Sequence, residues 1–141
     1  MSYDLTIQFD DEATATTDVR SLESFLRSYP GTRRLAWNQW IHQPNSSVYV
    51  EIDLVTADDT DPEMIKSIAV GVAHSFLAAS GQPALQRCFT LAKRLGWRVF
   101  DEQCGEFIDP GDMPELLTKL VELADEPDKI LAEDEASAVA T

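Results

Sequence analysis

Two segments of the chain alternate apolar and polar residues with a period of two, and this alternation constrains the fold more than any other feature. Residues 3–9 form the first segment and residues 47–55 the second. The alternating apolar side chains are Leu5, Ile7 and Phe9 in the first segment and Val48, Val50, Ile52 and Leu54 in the second. Strict alternation is typical of a strand with one buried face. The sequence therefore predicts a sheet that covers a core with one of its faces.

Turn residues between apolar runs predict two hairpins. Residues 33–42 are expected to pair with residues 47–55 through a four-residue loop. Residues 97–101 and 106–109 predict a second, shorter hairpin, in which Gly105 supplies the positive φ that such a turn often needs.

The first helix is predicted over residues 18–28, where apolar residues follow a helical stripe. Thr17 or Asp18 can cap its start, and Pro30-Gly31 stops it.

Two further helices are predicted in the middle of the chain. The first begins at Asp61, a good N-cap before Pro62, and ends at Gly81. The second begins at Pro83 and ends at Gly96, which can adopt the left-handed conformation of a helix C-cap.

A last helix is predicted from Asp112, because Asp112 and Glu115 have the spacing of a capping box. Acids and small residues then dominate the composition, so residues 125–141 are expected to form a frayed acidic tail. Residues 1–124 are expected to form a single domain.

The predicted order of elements is β-α-β-β-α-α-β-β-α. Its first part matches the split βαβ plait of ferredoxin-like folds, and a C-terminal hairpin and helix follow. The predicted class is therefore α+β, with an antiparallel-rich sheet and helices on one face.

The charge of the chain is strongly negative, because 25 Asp and Glu against 11 Lys and Arg give −14. The tail 125–141 holds six acids and one lysine, which leaves −9 on residues 1–124. A field of this sign repels nucleic-acid phosphates and anionic membranes, and it speeds association with a basic protein. We therefore expect a basic protein as a partner, and neither nucleic acid nor a membrane. The alternative is that the charge serves solubility alone.

Several features favour a reducing, cytoplasmic location. The start of the chain lacks a charged segment followed by an apolar run, and no stretch approaches the roughly 18 apolar residues of a membrane span. Cys88 and Cys104 match no zinc or CxxC spacing. We expect Cys88 in the core and Cys104 in a turn, both reduced.

No strong catalytic, nucleotide-binding or metal-binding motif is present, so no catalytic residue, metal or cofactor is predicted. The weaker candidates are the acids Asp58, Asp59, Asp61 and Glu63 for a hard cation, the histidines His42 and His74, and the thiol of Cys104. Helix capping explains the acids, and no partner of either histidine is visible in the sequence. The acids around Cys104 disfavour its thiolate.

The most informative residues lie on the sheet face opposite the predicted core. With a four-residue loop, Trp40 lies opposite Tyr49 on this face. We expect these two rings to anchor a protein partner, because Trp and Tyr dominate interface hot spots. Glu51, Asp53 and Asp4 are expected to steer a basic partner toward them. Two alternatives are that the rings form a stabilising cross-strand pair, or that the C-terminal helix covers them.

Residues 91–107 combine a helix that ends at Leu95-Gly96 with a hairpin whose turn contains Asp101 and Gly105. This pattern is similar to one found in small acidic bacterial proteins of unknown function, some of which are toxin-immunity proteins. The opening Met1-Ser2-Tyr3-Asp4-Leu5 is also similar to theirs. The resemblance implies a small bacterial protein, and it implies no catalytic residue.

Three classes of function follow. The first is a non-enzymatic protein-binding module, immunity-like or regulatory, that masks a basic protein. The alternative is a homodimer that buries the open sheet face and has a structural or small-ligand-binding role. A further alternative is an enzyme whose carboxylate site no motif reveals.

Overall fold

The computed structural model describes residues 2–58 and 61–125, in which eight strands and three helices are present. The strands are β1 (Ser2–Gln8), β2 (Thr17–Asp18), β3 (Thr32–Ala36), β4 (Gln39–His42), β5 (Val50–Asp58), β6 (Asp61–Ala73), β7 (Arg98–Asp101) and β8 (Glu106–Ile108). The helices are α1 (Val19–Arg27), α2 (Leu77–Leu95) and α3 (Met113–Asp125). Short 3-10 turns, His74–Phe76 and Pro110–Asp112, precede α2 and α3. Apart from Asp125, the predicted tail lies outside the described residues.

All the strands belong to one antiparallel sheet with the order β3-β4-β5-β6-β1-β7-β8, and β2 pairs with β6. At its centre, the strands β5-β6-β1-β7, with α1 after β1 and α2 after β6, form a split βαβ plait. The hairpin β3-β4 widens the sheet at one edge, and β8 widens it at the other. The predicted α+β class and its antiparallel sheet are therefore confirmed.

Residues 61–73 form strand β6, so the helix predicted from Asp61 to Gly81 is wrong over this part. The buried apolar residues of this strand are Ile65, Ile68, Val70 and Val72, all of them β-branched. β6 pairs with β5 along one edge and with β1 along the other. Strand pairing along both edges outweighs the helix-start signal of Asp61 and Pro62. The β-branched residues favour this outcome, since they fit a pleated, half-buried surface.

Helix α2 passes without a break through Gly81 and Pro83, where the sequence predicted one helix to end and another to start. An interior proline removes a helical hydrogen bond and costs about 3 kcal/mol. Burial of Leu77 and Leu85, at most 3% exposed, offsets this cost on both sides of the proline. Gly81 lets α3 approach α2, since a Cβ atom on it would lie 3.0 Å from Cδ1 of Leu120.

The predicted strand 33–42 is a hairpin of its own, with a tight turn between β3 and β4. Residues 43–49 form a longer connection to β5 than the predicted four-residue loop. Trp40 therefore pairs with Ile52, and the predicted pairing of Trp40 with Tyr49 is wrong.

Three predicted local signals are confirmed. Asp18 caps α1, where its Oδ1 accepts a hydrogen bond of 3.2 Å from the backbone N–H of Arg20. Gly96 ends α2 in the left-handed conformation, with φ of +70°. Gly105 has φ of +70° in the turn between β7 and β8.

The capping box before α3 lies three residues earlier than predicted. It joins Asp109 and Asp112, whereas the sequence predicted Asp112 and Glu115. Pro110 fixes a φ that suits a first helical position, so the chain already turns in a 3-10 helix before α3 begins.

The core lies between the helices and the sheet face that carries Leu5, Ile52 and Val70. Cys88 is completely buried in this core, as predicted. Helix α3 packs on α2, where Leu120 is buried beside Gly81.

Candidate functional site

Within the described residues, the helices pack on one face of the sheet. The other face is open where it carries Glu51 and closed on the neighbouring strand β4, where Ile41 pairs with Glu51 and is 1% exposed. Leu5 and Ile52 point to the core and are each 1% exposed. Because side chains alternate along a strand, Asp4, Glu51 and Asp53 point to the open face. These are the three acids that the sequence predicted there.

The floor of the open face is strand β6, whose outward side chains are small. Gly71 pairs with Glu51 on one side and with Asp4 on the other, and Ala69 pairs with Asp53. Since neighbouring strands lie about 4.8 Å apart, the walls on β5 and β1 stand about 10 Å apart. We call this surface the acid-walled trough, and it consists of Asp4 and Thr6 of β1, Glu51 and Asp53 of β5, and Ser67, Ala69 and Gly71 of β6.

The carboxylate of Asp4 leans over this floor. A Cβ atom on Gly71 would lie 3.1 Å from Oδ1 of Asp4, so glycine leaves the carboxylate its full space. The hydroxyl of Ser2 donates to both oxygens of this carboxylate, at 2.9 and 2.8 Å. One wall of the trough is thereby fixed in position.

Among the described residues, no cation pairs with the trough acids, whereas Arg34 forms an ion pair with Glu23 elsewhere. Partial burial raises the pKa of Asp53 above its ordinary value, because desolvation disfavours the charged carboxylate. A cation placed in the trough would reverse this effect. The trough is thus complementary to a positively charged group.

Two aromatic rings continue the open face beyond β1. Thr6 pairs with Phe100, and Phe100 pairs with Phe107. The two rings meet edge to face at 5.3 Å, and the guanidinium of Arg98 stacks on Phe107 at 4.1 Å. Neither ring is among the predicted site residues, although Arg98 and Phe100 alternate with the buried Val99 in a way that indicates their face.

Trp40, predicted to be an anchor on the open face, lies in the core. It is 1% exposed, and the guanidinium of Arg27 in α1 lies 5.8 Å from the centre of its ring. The reason is its pairing with Ile52, which places both side chains on the helix side of the sheet. A ring at this exposure offers a partner no surface, so Trp40 is not available as an anchor.

Tyr49, the second predicted anchor, precedes β5 and lies at the end of the sheet next to the start of α2. Its ring packs on Phe76 at 5.5 Å. Its backbone N–H donates to the hydroxyl of the buried Ser80 at 2.9 Å. The structure therefore separates Tyr49 from Trp40 and ties it to the helix layer.

His42 is 4% exposed, and its Nδ1 lies 3.2 Å from the hydroxyl oxygen of Thr32. Burial, together with the positive charge of Arg87, lowers the pKa of His42. Its imidazole is therefore neutral at neutral pH. His74, the other histidine, opens the 3-10 turn before α2.

Cys104 lies in the exposed turn between β7 and β8. Partial desolvation and the nearby Asp101 raise the pKa of its thiol. This agrees with the predicted lack of reactivity, since the thiolate is the nucleophile. The acidic segment considered for a cation includes Asp59, which lies outside the described residues.

The sequence also left open that the C-terminal helix covers the open face, and the position of α3 bears on this alternative. Its residues up to Val121 lie along α2, on the helix side of the sheet. This part of α3 leaves the acid-walled trough uncovered.

No protein-family model matches the chain, and neither a curated protein nor a solved structure matches it. In the described part of the chain, no helix is both long and apolar enough to cross a membrane. The likeness of residues 91–107 to immunity proteins stays a prediction.

Proposed function

We propose that this chain is a non-enzymatic protein-binding module that recognises a basic segment of its partner through the acid-walled trough. The observation that carries the proposal is the arrangement of Asp4, Glu51 and Asp53. These three carboxylates flank a floor of small residues on an open sheet face, and the described residues offer them no cation.

The shape of the trough suits lysine and arginine side chains. Their methylene stems can lie on the floor formed by Ala69 and Gly71 while their charged groups reach the walls. A guanidinium binds a carboxylate through two parallel hydrogen bonds, which gives the contact direction as well as strength. The rings of Phe100 and Phe107 would border such a segment on one side.

The net charge of −14 supports the same partner at longer range. Acidic proteins attract basic partners and accelerate their encounter, and this effect weakens as salt increases. In this proposal the protein is cytoplasmic and immunity-like or regulatory. The two free cysteines, Cys88 and Cys104, suit a reducing compartment.

A homodimer through the open face is less well supported by the charges. Two copies that faced each other there would bring two sets of Asp4, Glu51 and Asp53 together. Like charges directly opposite each other across an interface are destabilising. The same openness to solvent disfavours an enzyme, because a carboxylate pair in catalysis needs an enclosed site that separates its pKa values.

A capture experiment with matched charge reversals tests the proposal. The wild-type protein is compared with two variants, Glu51→Lys/Asp53→Lys in the trough and Glu115→Lys/Glu122→Lys on α3. Each of the three proteins is immobilised and incubated with a lysate of the source cells. The two variants change the net charge equally, and Glu115 and Glu122 are exposed on the helix side. We expect the wild type and the α3 variant to retain a basic protein at low salt, and the trough variant to lose it.

Increasing salt should release the captured protein from the wild type. The proposal is wrong if no basic protein is retained, or if both variants lose it to the same extent. In the second case net charge, rather than the trough, would be responsible for the capture.

A further inference from the structure

A groove of about 560 Å³ opens on the helix side of the molecule, on the opposite side of the sheet from the trough. It lies where α2 meets the ends of α1 and β4 and the start of α3. The residues that shape it are Tyr29, His42, Arg87, Phe89, Pro110 and Met113. Its volume is within the range of roughly 300–1,000 Å³ that is typical of small-molecule sites.

The charge around this groove is opposite to that of the whole chain. The charged side chain among the described residues that line the groove is that of the cation Arg87, although the chain as a whole carries −14. The described residues that line the groove include no Asp or Glu. The groove is therefore a positively charged region on an acidic protein.

Arg87 is the charged group of the groove. Its guanidinium stacks on the ring of Tyr29 at 3.4 Å, which holds it in one orientation. No carboxylate pairs with it among the described residues. Desolvation lowers the pKa of Arg87, which reflects the cost of a cation held away from water. An anion would offset that cost.

The other walls are mostly apolar. Phe89, Met113 and Pro110 present hydrophobic surface, and the neutral imidazole of His42 adds a polar group at the end next to β4. A ligand that fits these walls and Arg87 together has an anionic head and an apolar body. A simple inorganic anion would leave the apolar walls unused.

We propose that this groove binds a small organic anion, with a carboxylate or sulfonate on Arg87 and an aromatic or aliphatic body against Phe89 and Met113. A second hollow of about 530 Å³ adjoins the groove and shares Phe89 and Pro110 with it. Lys93 lines this hollow and adds a second cation for a longer ligand, beside the one acid among the described residues of the lining, Asp109. This inference is independent of the trough, which lies on the other face of the sheet.

The test uses anilinonaphthalene sulfonate, a fluorescent anion with an aromatic body, and phenylnaphthylamine, its neutral analogue. We expect the folded protein to bind one molecule of the sulfonate and to bind the neutral analogue more weakly. Arg87→Gln should weaken sulfonate binding by roughly tenfold or more, since it removes the charged donor that the sulfonate would contact. The affinity for the neutral analogue should stay the same in this variant.

Arg94→Gln is the matched control, because Arg94 stacks on Phe25 at 4.7 Å but does not line the groove. Its affinity for the sulfonate should stay within about twofold of the wild type. Thermal melts of each variant verify that it is folded. Equal affinities for the two probes would overturn the proposal, as would equal losses in the two arginine variants or binding of several sulfonate molecules per chain.

Discussion

At the scale of single residues, one buried hydrogen bond ties the first strand to the last hairpin. Asp101 is 1% exposed and accepts a hydrogen bond of 2.8 Å from the hydroxyl of Tyr3. Its other oxygen accepts from the backbone N–H groups of Gln103 and Cys104, at 2.9 and 3.2 Å. A carboxylate in a core is tolerated only when such donors satisfy it.

Removal of the Tyr3 hydroxyl should therefore destabilise the protein. We expect Tyr3→Phe to lower the free energy of unfolding by about 1–3 kcal/mol, because it leaves a buried acceptor without one of its donors. Urea denaturation measures this loss. Tyr49→Phe is the control and should cost less than about 0.5 kcal/mol, since Tyr49 lies in contact with Phe76 at the end of the sheet. Equal losses in both variants would show that the contact with Asp101 contributes nothing specific.

His42 gives the stability a dependence on pH. Its pKa is lowered in the folded protein, so the unfolded chain binds a proton first as the pH falls below the ordinary value of 6.5. Neutral His42 therefore makes its full contribution to the free energy of unfolding above pH 6.5. This contribution is lost as the pH falls toward the lower pKa of His42 in the folded protein.

The difference in unfolding free energy between the wild type and His42→Gln should therefore shrink as the pH falls below 6.5. Urea titrations of both proteins at several pH values below 6.5 measure this difference. The acidic groups that the two proteins share contribute equally to both, so their effect on stability cancels in the difference. A difference that grows on acidification would mean that the folded protein prefers the charged imidazole.

The residues of the candidate site differ in how well the sequence predicts them. Glu51 and Asp53 alternate with buried residues in one strand, so their face follows from the period of two alone. Trp40 lies between Ile41 and Gln39 in a strand whose two faces both bury side chains, since Trp40 and Ile41 are each 1% exposed. The alternation of apolar and polar residues therefore does not indicate on which face Trp40 lies. Its face depends on where the turn before β4 is placed.

At the scale of elements, the middle of the chain shows where local patterns fail. Residues 64–73 carry apolar side chains that satisfy helical spacing and strand spacing at the same time. Asp61-Pro62 resembles a helix start, yet pairing with β1 and β5 makes the segment a central strand. Such long-range pairing is not encoded in any local window of the sequence.

Val70 distinguishes a helix from a strand in this segment. A helix that buried Ile68 and Val72 would turn Val70 away from the core, whereas Val70 is 2% exposed in β6. We expect Val70→Ala to cost about 2 kcal/mol, from the lost methyl groups and the cavity that they leave. Ala69→Ser, on the open face, should change the stability by less than about 0.5 kcal/mol. Chemical denaturation measures both. A negligible cost for Val70→Ala would favour the helix.

At the scale of the whole molecule, the plait is predictable even though the sequence assigns two of its elements wrongly. The hairpin expected at 33–55 supplies only β5 to the plait, and β6 takes the place of the expected helix. The prediction still holds because a strand, a helix, two antiparallel strands, a second helix and a further strand occur in the expected order. The order of elements thus constrains the fold more strongly than their boundaries do.

Two local surfaces of opposite charge lie on the two sides of the sheet. The acid-walled trough lies on the open face, whereas Arg87 and Lys93 lie on the helix side. This separation lets one small domain present an anionic surface and a cationic groove without neutralising either.

An amide chemical-shift map of the labelled protein, recorded while the captured basic partner is added, tests the central claim most directly. If the trough binds the basic segment, the largest shifts fall on β1, β5 and β6, around Asp4, Asp53 and Ala69, and they disappear in Glu51→Lys/Asp53→Lys. Shifts confined to α2 and the groove around Arg87, with the trough amides unchanged, would contradict it.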